Sequence, residues 1–103
     1  MPEIFALLFH QTGTEAEFAE RIPRLMVWLK ELYAGGHLVG CGGGGWQNDT
    51  GGGLTLIKAS SPEEAERLAA GTPMNEIGYT EIFLWDCFYA NLSNPDNEAK
   101  LKS

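Results

Sequence analysis

Apolar positions along this chain change period several times, and each change marks the edge of an element. In residues 3–10 (EIFALLFH), Ile4, Ala6 and Leu8 share one parity, and Phe5, Leu7 and Phe9 the other. Successive side chains of a strand point to opposite faces, so a strand apolar in both parities is one covered on both sides. From Thr14 to Ala34 the spacing becomes four, three, four, three through Phe18, Ile22, Leu25, Leu29 and Leu32, one face of a helix. Thr14-x-x-Glu17 supplies a capping box at its start and Gly35-Gly36 a stop at its end. Pro23 predicts a kink, or a short helix followed by a longer one. Residues 37–41 and 53–59 read as strands. Ser61-Pro62-Glu63-Glu64 opens a second helix, with Ser61 as cap, Pro62 at the first helical position and Glu64 closing a second capping box. Ala65, Leu68 and Ala69 give that helix a small apolar face, and Gly71 stops it. Residues 72–78 connect to a long final strand over 79–89 (YTEIFLWDCFY), and residues 91–103 read as a polar tail.

The order β-α-β-β-α-β predicts an α+β fold of the ferredoxin-like, split β-α-β kind. It has four antiparallel strands in spatial order 4-1-3-2 and both helices on one face. Residues 1–90 form that single domain. Two helices cover only one side of such a sheet, yet the first and last strands are apolar on both. The economical cover for the second side is another copy of the same sheet, so a homodimer or higher homo-oligomer is expected.

Composition adds exclusions. The chain has 103 residues, 44% of them apolar and 11% aromatic, and no apolar run approaches the length of a membrane span. Met1-Pro2-Glu3 lacks the basic region of a signal peptide, so a cytoplasmic location is expected. Fourteen acidic against seven basic residues give a formal charge of −7, which repels nucleic acid and anionic lipid. Cys41 and Cys87 form no metal motif and read as small buried hydrophobes; the topology sets them on the two outer strands, too far apart to join.

The candidate chemistry gathers at one end of this sheet. Residues 40–53 hold eight glycines in fourteen positions, with Trp46 the one large side chain, beside Gln47, Asn48 and Asp49. Such a stretch is either a long hairpin loop or a loop that closes over a ligand with an aromatic lid. The topology places His10, Asp49, Arg24, Trp46, Asn75 and Tyr79 at that same end. His10 and Asp49 are the candidate catalytic pair, and Arg24, Trp46, Asn75 and Tyr79 the candidate substrate contacts. His37, Lys58, Asp86 and Cys87 fall at the other end, so His10 and Asp86 lie roughly 20 Å apart at about 3.3 Å per residue. Trp28 and Trp85 read as core or interface aromatics.

Familiar motifs fail on context. Gly40-x-Gly42-x-x-Gly45 precedes a strand rather than a helix, so no dinucleotide fingerprint is present. No P-loop, nucleophile elbow or zinc spacing occurs, and no residue pattern calls for a cofactor or metal.

Taken together, Leu29 to Gly43 (LKELYAGGHLVGCGG), Gly53 to Ala59 (GLTLIKA), Ser61 to Ala65 (SPEEA) and Gly78 to Ile82 (GYTEI) resemble the YCII-related proteins in order and spacing. The resemblance spans roughly residues 3–90. It implies a dimeric α+β barrel, and small enzymes acting on aromatic or related metabolites through a histidine–aspartate pair. The family histidine follows an Arg-x-x pattern in the first helix, and the aspartate precedes a proline after the second. Those positions hold Arg24, after Arg21, and Thr72, before Pro73. Two readings stand. One is a small homodimer binding an organic, aromatic or anionic metabolite under the glycine-rich loop, with lyase- or isomerase-type acid–base chemistry from His10. The other is a non-catalytic assembly module.

Overall fold

A computed structural model describes residues 2–44, 52–91 and 95–102. Strands β1 (Glu3–Gln11), β2 (Leu38–Gly44), β3 (Gly52–Ala59) and β4 (Gly78–Leu84) form one antiparallel sheet in the order β2-β3-β1-β4. Helices α1 (Glu15–Ala34) and α2 (Pro62–Ala69) follow β1 and β3, a 3₁₀ turn (Pro73–Ile77) leads into β4, and α3 (Pro95–Lys102) ends the chain. This is the expected α+β, ferredoxin-like order 4-1-3-2.

Local chemistry sets the boundaries. The Thr14 hydroxyl accepts the Glu17 N–H and the Glu17 carboxylate accepts the Thr14 N–H, so the capping box is complete. At the far end His37 N–H donates to Leu32 O and Gly36 N–H to Tyr33 O, with Gly36 at φ 77°. These two bonds and that left-handed residue make a Schellman stop, which favours glycine because a Cβ is strained there. Pro23 sits inside α1, which runs on as one helix rather than two. The second capping box forms only by half. Ser61 Oγ accepts the Glu64 N–H, but the Glu64 carboxylate reaches past it to the Ser60 N–H.

β1 is the central strand, paired along its length with β3 and β4, and its parity sorts the whole sheet. Phe5 and Leu7 join Ile57 and Ala59 of β3 against Trp28, Leu29 and Leu32 of α1 and Ala65 and Ala69 of α2. Trp28 satisfies its indole N–H on Leu68 O, which locks the two helices together over the sheet. The opposite face carries Ala6, Leu8, Leu54, Phe83 and Tyr79, as the register requires, and no helix among the described residues is assigned to it. Leu54, Phe83 and Tyr79 are exposed there.

Four expectations are corrected. β4 stops at Leu84, not at residue 89; Trp85 N–H still bonds Ile4 O, after which the chain leaves the sheet. Phe88 and Tyr89 are 94% and 81% exposed. Residues 95–102, within the span read as a polar tail, form α3, whose Leu101 packs on the core cluster. Cys41 and Cys87 are free and exposed rather than buried. Ile22 belongs to the predicted apolar seam of α1 but is exposed; the buried stripe is rotated towards Trp28.

Truncating Leu32, which is 4% exposed beneath α1, is expected to cost about 2–5 kcal/mol. Chemical denaturation of Leu32→Ala against the parent measures this directly.

Candidate functional site

The register brings together two of the residues proposed from sequence and adds one that was missed. His10 pairs with Tyr79 across β1 and β4, and their rings stack with centroids 4.7 Å apart. Glu81 pairs with Leu8, which places it diagonally across from His10 on the same face, within reach of a long side chain. Its carboxylate sits against His10 Nε2. That nitrogen is shielded from solvent. The two atoms touch without forming a hydrogen bond of good geometry; a carboxylate beside one ring nitrogen favours a proton there and leaves the other nitrogen to exchange one. The pair thus has the parts of an oriented acid–base group: an imidazole, a carboxylate that fixes its tautomer and an aromatic plane that fixes its tilt. Glu81 was legible in principle, since it lies two residues beyond Tyr79 and shares its parity.

Backbone geometry builds the platform under this pair. Thr12 and Gly13 N–H both donate to Ile77 O, at 2.9 and 3.0 Å, which ties the β1–α1 turn to the start of β4. At Gly78 a Cβ would lie 2.1 Å from His10 O and 2.6 Å from the Phe9 ring, so only glycine lets the two strands approach beside the histidine. Beside it lies a cavity of about 500 Å³, whose walls include Leu8, His10, Thr12, Tyr79, Leu54 and the glycines of β2 and β3.

The other proposed residues stand apart from His10, though Asn75 shares a neighbouring cavity of about 340 Å³ with Tyr79. Arg24 binds Glu76 through both terminal nitrogens, at 3.0 and 2.8 Å, and Arg21 Nε holds the same carboxylate at 3.0 Å. The Arg24 and Arg21 guanidinium groups hold the Glu76 carboxyl down at about 2, and the Arg24 guanidinium is raised in turn by Glu76. Asn75 donates to Ala69 O and accepts from the Thr80 hydroxyl, so both ends of its amide are engaged. Thr72 caps the 3₁₀ turn by accepting the Met74 N–H. Trp46 and Asp49 lie outside the described residues. Among the described residues no cluster of histidine, cysteine and carboxylate side chains could hold a metal ion.

The YCII-related domain model matches residues 4–86. The chain belongs to the YCII-related family. At the two positions that the sequence resemblance singled out lie the guanidinium of Arg24, clamped on Glu76, and the capping hydroxyl of Thr72. Among solved structures the fold is similar to a variant of SnoaB, a cofactor-independent oxygenase from Streptomyces nogalater. The two share 14% sequence identity over 86% of this chain and 95% of that one, with a TM-score of 0.53. No curated protein matches the chain at a significant level. No helix among the described residues is long and apolar enough to cross a membrane.

The clamp makes a pH prediction. Glu76 lies near 2 in the folded chain against an ordinary 4.5, so its contribution to stability is present above pH 4.5 and lost as pH falls towards 2. Thermal midpoints of Glu76→Gln and of the parent, measured across that range, are expected to differ most above pH 4.5 and to converge towards pH 2.

Proposed function

We propose that this YCII-related domain is a homodimeric small-molecule-binding protein. It takes an organic metabolite, aromatic or anionic, at the His10 end of its sheet, with acid–base chemistry through His10. The observation that carries this reading is the His10 imidazole, fixed between the Tyr79 ring and the Glu81 carboxylate and forming part of the wall of the 500 Å³ cavity. A pocket with mixed walls and one oriented titratable pair suits a small ligand better than a macromolecule. His10 Nδ1 accepts or returns a proton, Glu81 steadies the imidazolium that forms, and Tyr79 supplies a face for a planar ligand. Arg24 and Asn75 support the site's floor rather than reach the ligand. The chemistry is of the lyase or isomerase type, in which a proton moves and no redox partner is needed.

The dimer follows from the helix-free face. Leu54 and Phe83 are 42% and 44% exposed on a flat sheet surface, which a second copy covers by sheet-on-sheet packing. That packing walls the open side of the cavity. The exposure of Phe88 and Tyr89 favours a second reading, a non-catalytic assembly module in which these apolar surfaces serve only oligomerisation.

A thermal-shift screen of phenolic acids, small carboxylates, lactones and phosphates separates the two. A ligand at 100 times its dissociation constant stabilises by about 2.7 kcal/mol. The binding reading expects a hit that is lost in His10→Ala and weakened in Glu81→Gln. A broad screen without hits, on a folded dimer, favours the module. Replacing both Leu54 and Phe83 with Asp is expected to reduce the mass in sedimentation from twice the 11.3 kDa of one chain to the monomer value.

A further inference from the structure

β4 is an edge strand, and the bonds at its two ends fix which of its backbone groups face outward. Thr12 N–H donates to Ile77 O and Trp85 N–H to Ile4 O, and both pairs lie on the register that joins Phe5 to Leu84. Antiparallel pairs alternate between bonded and unbonded, so Tyr79, Glu81 and Phe83 direct their backbone groups to β1. Gly78, Thr80, Ile82 and Leu84 turn theirs away from the sheet.

That outer edge lacks the devices that keep exposed strands from pairing. β4 runs for seven residues, Gly78–Leu84, without proline, lysine or a break in register, whereas β2 at the other edge has a register shift between Leu38 and Gly40. Beside β4 lies the cavity of about 340 Å³, with α2 and the 3₁₀ turn as its other walls. Its β4 walls include Gly78, Thr80 and Ile82, the residues whose backbone groups point outward. A hydrogen-bonding edge and a side-chain pocket thus share one place, the layout that captures an extended chain by strand addition.

The pocket also sets the chemistry of that chain. Glu66 is the one charged residue in its lining, and no ion pair among the described residues engages it. Asn75 is already engaged at both ends of its amide, once by the Thr80 hydroxyl. Ala69, Ala70 and Ile82 supply an apolar wall. A lysine or arginine suits this lining, with its stem along the apolar wall and its head at the carboxylate. The net charge of −7 draws a basic segment in and repels an acidic one. Thr80 and Ile82 share the parity of Phe9 and Leu7 on the helix-facing side. A second copy packed on the open face therefore leaves this pocket accessible.

We propose that the outer edge of β4 docks an extended basic segment of another protein, which adds to the sheet as a fifth strand and sets a lysine or arginine beside Glu66. The proposal goes beyond the reading of the His10 site and does not depend on it.

The probe is a fluorescein-labelled peptide, Thr-Lys-Val-Lys-Val-Lys-Thr, followed by fluorescence anisotropy. Saturable binding is expected, roughly tenfold weaker in Glu66→Gln and for the peptide with glutamates in place of lysines, and unchanged in His10→Ala. An added strand offers the N–H groups of alternate residues only. Of two peptides, one N-methylated at its lysines and one at its valines, a single one is therefore expected to lose binding. Thr80→Pro removes an outward N–H and leaves the ladder to β1 intact, and is expected to lose binding. Thr80→Val lacks the same hydroxyl, keeps the N–H and is expected to retain it. Absence of saturable binding to the parent, or an equal response to the two methylations, overturns the proposal without any variant. Unaltered affinity in Glu66→Gln overturns it, and so does loss of binding in His10→Ala, which places the peptide at the other cavity. A mass in sedimentation that falls in Thr80→Pro but not in Thr80→Val assigns the edge to a second copy and overturns it as well. A metabolite hit that survives His10→Ala counts against the His10 reading alone.

Discussion

The pairing of β1 on both of its edges is the constraint on which the rest of this structure depends. A strand hydrogen-bonded on two sides has no freedom of register, because a slip by one residue would exchange its faces. Phe5 and Leu7 must then meet Trp28, Leu29 and Leu32, and Ala6 and Leu8 must point the other way. The same pairing carries His10 to Tyr79 on one edge and to Gly52 on the other. The acid–base group and the glycine floor are thus consequences of one ladder. Neither needs a loop to bring it together, which is what gives a site on a small domain its rigidity.

The parts that were legible in the sequence are those in which each residue decides its own geometry. Thr14 and Glu17 are three apart and cap a helix; Gly35-Gly36 ends it; the double parity of residues 4–9 makes that strand central. What was not legible depends on distant partners. Glu64 satisfies Ser60 rather than Ser61, a choice between two adjacent N–H groups that spacing does not resolve. Arg24 reads as a lone cation near an apolar seam until the 3₁₀ turn delivers Glu76 from 52 positions along the chain. Glu81 needs a register before it can be seen as a neighbour of His10. β4 is apolar enough to continue to residue 89 but stops at Leu84, its last bond to β1 being Trp85 N–H to Ile4 O.

The Arg21–Glu76–Arg24 clamp has a further meaning for a chain of this family. It holds α1 to the turn that opens β4, and that turn also carries Ile77, the acceptor for Thr12 and Gly13. A charge-assisted, two-pronged bond there fixes the spacing between the helix and the His10 end of the sheet. In this chain Arg24 joins α1 to that turn on the outside of the molecule. The acid–base pair proposed for this chain lies instead across the sheet, on the β1–β4 pair.

The glycines show which of these requirements folding itself does not explain. Gly52 and Gly78 are forced by close backbone approach, and Gly36 by its left-handed φ. Gly42, Gly43, Gly44 and Gly53 are not: among the described residues a Cβ would find open space or ordinary contacts at all four. A glycine in a strand costs about 0.5–1 kcal/mol relative to alanine, so these four together forgo roughly 2–4 kcal/mol. Against a typical total of about 5–15 kcal/mol, that is a large sacrifice for a domain of this size. Stability alone would have replaced them. Two of the four bare the helix-facing side and two the open side, so the sheet is thinned to its backbone on both faces beside the His10 cavity. Space on each side of one thin wall is what the glycines provide.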